Sequence, residues 1–167
     1  MKTIAAVIVI LLAQTVTVRA DLLKAGDPFP SWELLDQTGA PRSSRDLAGK
    51  TYLIWFYPKA MTPGCTAEGQ GLRDRFSTFQ AKKVEIVGVS FDAPMANAQF
   101  VKSETFPFTL LSDRDRTLAV AVGAADSHDQ PVARRISYLV GPDGKVLQVY
   151  AAVNPASHAQ DVLNDLK

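Results

Sequence analysis

One thiol is available for covalent chemistry in this chain. Cys65 sits in the stretch Phe56-Tyr57-Pro58-Lys59-Ala60-Met61-Thr62-Pro63-Gly64-Cys65-Thr66-Ala67-Glu68. The run Thr51 to Tyr57 before it is β-branched and aromatic, and Leu72, Phe76 and Phe79 after it recur at helical spacing. The spacing therefore predicts that Cys65 lies where a strand turns into a helix. In an α/β sheet that edge is where sites form. An ordinary thiol is mostly protonated at neutral pH, whereas the free N–H groups and dipole of a helix start favour the nucleophilic thiolate. The chemistry on offer is attack by sulfur. Two blander readings stand beside it: a lone cysteine as a small buried hydrophobe, and an intermolecular disulfide. Thr62, Pro63, Gly64 and Thr66 are small or polar, unlike the neighbours of a core residue. With no second cysteine, neither an intramolecular disulfide nor a C-x-x-C exchange pair is available.

The elements that must hold this cysteine can be read from periodicity. Trp32 to Leu35 reads as a short strand. Thr51 to Tyr57 and Val84 to Phe91 read as strands buried on both faces. Cys65 to Lys82, Ala96 to Glu104, Asp115 to Val122 and Ala156 to Leu166 read as helices, and Phe108 to Leu111 as a short strand. Ile136 to Val140 and Lys145 to Tyr150 flank Gly141-Pro142-Asp143-Gly144, a strong hairpin turn. Alternating strands and helices predict an α/β domain: a mostly parallel central sheet with helices on both faces and a C-terminal antiparallel hairpin. The order is similar to that of the thioredoxin-like fold.

Composition narrows the function classes. The chain has 167 residues, 47% hydrophobic and 21% charged, with a formal net charge of +1. That suits one globular domain and gives no basic footprint for nucleic acid. Residues 1–20 differ: Met1-Lys2, an apolar stretch from Ile4 to Ala13, then Val18-Arg19-Ala20 before Asp21. This is the pattern of a signal peptide, followed by a domain over 21–167. The stretch is short for a spanning helix, and an uncleaved membrane anchor is the alternative. Export, to a bacterial periplasm, is the expectation, with membrane contact only through this segment.

Pro58-x-x-x-Thr62-x-x-Cys65 resembles the active-site pattern of the peroxiredoxins, and the longer stretch resembles their PrxQ, or bacterioferritin comigratory protein, type within the AhpC/TSA superfamily. The likeness continues in Val87-Gly88-Val89-Ser90-Phe91-Asp92, in Phe106 to Asp113, and in Arg135-Ile136-Ser137-Tyr138-Leu139-Val140 with Asp143-Gly144-Lys145. The resemblance implies a thiol peroxidase. Cys65 would attack hydrogen peroxide or an organic hydroperoxide, leaving a sulfenic acid and releasing water or alcohol. It further implies that Thr62 hydrogen-bonds thiolate and peroxide, that Pro58 shields the pocket, and that Arg135 sets its guanidinium beside the sulfur. Backbone N–H groups of Gly64 and Cys65 would add donors at the helix start. Glu68 would orient Arg135, or serve only as a first-turn acid complementing the dipole. Arg134 and Arg135 are strand neighbours that must point oppositely, and the resemblance selects Arg135. No cofactor and no metal are expected.

Many PrxQ proteins carry a resolving cysteine five residues after the first; here that position is Gln70. The implied cycle is a 1-Cys mechanism completed by an external thiol or by a thioredoxin-like or glutaredoxin-like reductant, in a monomer or dimer. The competing functions are a thiol–disulfide oxidoreductase and a non-catalytic redox sensor or binding protein. Other suggestive residues read as structure. Ser127-His128-Asp129 is a polar loop, since consecutive residues cannot form a hydrolase triad. His128 and His158 are isolated from any metal-spaced cluster. Asp113-Arg114-Asp115-Arg116 reads as a solvated helix start, and Trp32 and Trp55 as core.

Overall fold

Tyr52, Ile54 and Phe56 alternate with Leu53, Trp55 and Tyr57 along one strand, and all six are buried. A strand buried on both faces must run through the middle of a layered fold, and it does. The computed structural model describes residues 21–166, and the leader read over residues 1–20 lies outside the described residues. The order is β1 (Glu33–Asp36), β2 (Pro41–Ser43), β3 (Thr51–Phe56), α1 (Pro63–Asp74), α2 (Phe76–Ala81), β4 (Val84–Ser90), α3 (Pro94–Glu104), β5 (Thr109–Ser112), α4 (Thr117–Ala121), β6 (Ile136–Val140), β7 (Val146–Tyr150) and α5 (His158–Asp165). A short 3-10 turn covers Ser44–Leu47. The seven strands form one sheet in the order β2-β1-β5-β4-β3-β6-β7.

The first face of β3 packs with Phe29, Trp32, Val87, Val89, Leu118 of α4 and Tyr138. The second packs with Cys65 and Leu72 of α1, Phe79 of α2, Phe100 of α3 and Val162 of α5. Helices thus cover both faces, as in the thioredoxin-like fold. The expectation of a mostly parallel sheet needs refinement: only β3–β4 and β4–β5 pair in parallel, and the other four pairings are antiparallel. The difference comes from the N-terminal hairpin. β1 adds antiparallel to β5, and the three-residue β2 adds to β1. Pro41-Arg42-Ser43 has no alternating apolar pattern, so pairing alone makes it a strand. The C-terminal hairpin is antiparallel as expected, closed by Gly144 N–H to Gly141 O at 2.9 Å, with Gly144 at φ +76°.

One helix expected over Cys65 to Lys82 is two. Arg75, at φ −108° and ψ 8°, breaks the run and starts α2. Leu72 and Phe79 stay fully buried across the break, so the apolar stripe is kept although the axis is not. Asp113 is not solvated. Its carboxylate is buried and accepts the N–H groups of Ala119 at 2.8 Å and Leu118 at 3.4 Å, tying down the start of α4. No helix among the described residues is long and apolar enough to cross a membrane.

Candidate active site

Cys65 is the third residue of α1, after Pro63 and Gly64, with Thr62 as N-cap in an extended conformation. Proline suits the first helical position because its missing N–H has no helical partner there anyway. The N–H groups of Gly64 and Cys65 also fall in the first turn, which lacks intrahelical acceptors. The connecting loop, Tyr57 to Met61, is held from below by buried polar groups. Tyr57 Oη donates to Asn97 Oδ1 at 2.7 Å, Asn97 Nδ2 donates to Ser112 Oγ at 3.2 Å, and Ala60 N–H donates to Asp92 Oδ2 at 2.8 Å. Burial, together with nearby Asp92 and Cys65, pushes the Tyr57 phenol up, so it stays a donor. Met61 takes a left-handed conformation at φ 61°, which a non-glycine residue adopts only when its surroundings impose it.

Cys65 is fully buried, within the core cluster that also holds Leu53, Trp55, Tyr57 and Leu72. Burial alone would suit an inert thiol. A guanidinium would not be there: Arg135 Nη2 lies 3.4 Å from Cys65 Sγ. A cation at this distance, at the positive end of a helix, stabilises negative charge on sulfur. A Cβ on Gly64 would stand 3.1 Å from Arg135 Nη2, so glycine there leaves room for the guanidinium against the first turn. Arg134, which like Arg135 precedes β6 and so lies outside the strand expected to set the two apart, turns elsewhere, donating to Gly123 O at 2.9 Å and pairing with Asp126.

Glu68 is fully buried and its Oε2 accepts from Arg135 Nη1. It is the sixth helical residue, and the first turn of α1 contains no acid, so the dipole reading of Glu68 does not hold. Desolvation pushes its carboxyl up to about 7, although Arg135 works against that rise. Arg135 is itself partly buried, which disfavours its charge, but Glu68 and the Cys65 sulfur more than offset this.

His158, set apart in the sequence from any metal-spaced cluster, belongs to none among the described residues, yet the fold brings it to Glu68. It is 2% exposed, its Nε2 lies 2.9 Å from Ser137 Oγ, and the same atom is 3.8 Å from Glu68 Oε1. Burial lowers the imidazole to about 4, so the contact is not an ion pair at neutral pH. Nothing local in the sequence signals this: His158 and Glu68 come from α5 and α1, which only the tertiary fold brings together. His128, by contrast, is an exposed loop residue whose Nδ1 meets Asp115 O at 2.6 Å. Thr62 lies beside the site, but its hydroxyl donates to Lys59 O at 2.9 Å. Its oxygen therefore offers lone pairs and no hydrogen. Pro58 is partly buried at the end of β3. Gln70 donates to Glu104 Oε2 at 2.8 Å, linking α1 to α3.

The buried acid and imidazole have opposite effects on pH-dependent stability. Glu68 keeps its proton in the fold to about pH 7 while the unfolded chain loses it near 4.5, so stability falls as pH rises through that window. His158 stays neutral down to about 4 while the unfolded chain protonates near 6.5, so its contribution rises with pH from 4 to 6.5. Between 4.5 and 6.5 the two slopes cancel. Glu68→Gln removes the falling slope. Unfolding free energies from urea titrations at pH 4.5 and 6.5 will therefore move in the variant's favour relative to the parent as pH rises, by up to about 2 kcal/mol. A constant difference would contradict the assignment.

The sequence profile of the AhpC/TSA family matches residues 25–149. Peroxiredoxin Bcp of Escherichia coli is 38% identical over 152 residues, which cover 87% of this chain and 96% of that protein. Among solved structures, peroxidoxin BcpB of Mycobacterium tuberculosis superposes with a TM-score of 0.80 at 34% identity, covering 86% of this chain and 96% of the other. The bacterioferritin comigratory protein of Xanthomonas campestris, whose structures concern its alkyl peroxide reduction activity, gives 0.76 at 31% identity, covering 88% and 96%. Sequence and fold agree: the chain belongs to the AhpC/TSA family as a peroxiredoxin of the Bcp/PrxQ type, a thiol peroxidase.

Proposed function

We propose that Cys65 reduces hydrogen peroxide and organic hydroperoxides by a 1-Cys cycle, in an exported enzyme whose first twenty residues are a signal peptide. The observation that carries the reading is the 3.4 Å approach of Arg135 Nη2 to the buried sulfur at the start of α1. The Cys65 thiolate attacks one peroxide oxygen and the O–O bond breaks. The sulfur becomes a sulfenic acid, and the departing alkoxide or hydroxide takes a proton to leave as alcohol or water. Arg135 and the N–H groups of Gly64 and Cys65 stabilise the charge moving onto the leaving oxygen. Thr62 Oγ1, its hydrogen already given to Lys59, accepts the peroxide O–H. Pro58 limits water, and Glu68 orients the guanidinium.

No second cysteine exists to resolve the sulfenic acid. An external thiol must condense with it, releasing water and leaving a mixed disulfide. A second thiol then displaces Cys65 as thiol and leaves as disulfide. Reductant candidates are small thiols and thioredoxin-like or glutaredoxin-like proteins. The test is peroxide consumption by the reduced protein. Without added thiol it should consume one equivalent per chain and stop, with a sulfenic acid on Cys65 by intact mass. With excess dithiothreitol, glutathione or thioredoxin, at least one should restore turnover. Continued turnover without thiol, or none with all three, would contradict the cycle.

A further inference from the structure

We propose that His158 is a positioning residue for the Cys65 reaction: from α5 it holds the far oxygen of Glu68, and through Glu68 it fixes the Arg135 guanidinium against the sulfur. The inference rests on Cys65 being the attacking nucleophile.

Glu68 is fully buried, and only one of its carboxyl oxygens is satisfied. Oε2 takes Arg135 Nη1, while Oε1 has no hydrogen-bond partner among the described residues. Buried polar atoms are rarely left so, because an unmet acceptor retains its desolvation cost. The polar atom that faces Oε1 is His158 Nε2, at 3.8 Å. A neutral imidazole carries one N–H. When Glu68 is ionised and paired with Arg135, a hydrogen on Nδ1 would leave the Nε2 lone pair facing a carboxylate oxygen, an unfavourable pairing. With the hydrogen on Nε2, two acceptors lie near it, Ser137 Oγ at 2.9 Å and Glu68 Oε1 at 3.8 Å from the nitrogen, and a shift of the ring would close the second contact. The Tyr150 ring stands edge-on to the imidazole, with centroids 5.3 Å apart, and limits how far it tilts away. Asp161 on the same helix and Arg135 across the site are the charges that bear on His158.

Held at both oxygens, the carboxyl cannot turn. The guanidinium is planar, with Nη1 on Glu68 and Nη2 at 3.4 Å from the sulfur. Rotation of the carboxyl would carry Nη2 off the sulfur, and a displacement of this kind at a reacting centre is costly. His158 touches neither sulfur nor substrate, so its effect must pass through Arg135.

That dependence gives the test. The second-order rate of Cys65 oxidation by hydrogen peroxide at pH 7 is measured by stopped flow for the parent, His158→Leu, His158→Asn, His158→Gln, Arg135→Ala and the Arg135→Ala/His158→Leu double variant. His158→Leu and the shorter, polar His158→Asn should each slow oxidation about tenfold. His158→Gln, whose amide N–H can replace Nε2–H, should stay within about threefold of the parent. On the Arg135→Ala background, His158→Leu should cause no further loss. Parent-like rates for both Leu and Asn would overturn the proposal. So would the same fractional loss with and without Arg135, which marks a purely structural role. If His158→Leu does not fold, the Asn and Gln pair decides. A parent that oxidises only at the rate of a free thiol would overturn the nucleophile assignment as well, a result distinct from a fast parent indifferent to His158.

Discussion

Arg135→Ala is expected to slow the oxidation of Cys65 by hydrogen peroxide about 100-fold or more, measured by stopped flow on the reduced protein. Two contributions add. The guanidinium 3.4 Å from Sγ stabilises the thiolate before reaction. In the proposed mechanism it also stabilises charge developing on the leaving oxygen, and removing one such preorganised donor costs roughly 10²–10³ in rate. Arg135→Lys should recover little. A single ammonium cannot reach Glu68 and the sulfur in the planar, two-pronged way that Nη1 and Nη2 do. The same change has a signature in stability. Without Arg135, Glu68 keeps its proton above pH 7, where the parent releases it into the ion pair. The variant's loss of stability should therefore grow from pH 6 to pH 8. An Arg135→Ala protein that oxidises at the parental rate would remove the basis for the assigned mechanism.

The second large effect is on packing. Gly69→Ala should destabilise the protein by about 2 kcal/mol or more, read as a fall in urea midpoint. A Cβ at Gly69 would stand 2.3 Å from Phe106 Cζ and 2.9 Å from Cε1. The Phe106 ring cannot retreat easily: it stacks on Phe108 at 5.0 Å and meets Phe100 edge-on at 4.8 Å. The helix-propensity gain of alanine, about 1 kcal/mol, offsets only part of this. Gly71, two residues on, is the internal control. A Cβ there lies 3.7 Å from the Ala159 Cβ, an ordinary contact. Gly71→Ala should therefore be neutral or stabilise by up to about 1 kcal/mol. Equal effects at the two glycines would mean that α1 is not clamped by Phe106.

Much of the frame follows from local pattern. The unbroken run Thr51 to Tyr57 forces a central strand, and the residue types after Pro58 place Cys65 at a helix start; both are seen. The turn at Gly141 to Gly144 carries its conformational demand in its own residues. What local pattern could not supply depends on contacts distant in sequence. β2 exists because β1 offers an edge, not because Pro41-Arg42-Ser43 favours a strand. The break at Arg75 keeps Leu72 and Phe79 on one core, so the apolar spacing looks continuous although the helix is not. Asp113, in a run of alternating charge that looks solvated, is buried because two N–H groups of α4 need an acceptor. At the site, the first turn of α1 was legible, whereas only the resemblance singled out Arg135, whose Nη2 the fold sets 3.4 Å from the Cys65 sulfur. His158 was not legible, since its meaning lies in facing Glu68 across two helices.

The central claim is that Cys65, beside Arg135 at a helix start, is the peroxide-reactive nucleophile. The most direct measurement exposes the reduced protein to one equivalent of hydrogen peroxide, follows Cys65 by stopped flow, and identifies the product by intact mass with a sulfenic-acid trap. The account predicts oxidation orders of magnitude faster than a free thiol, one trapped sulfenic acid per chain, and no trapped adduct in Cys65→Ser. Oxidation at the free-thiol rate, unchanged by Arg135→Ala, would contradict it.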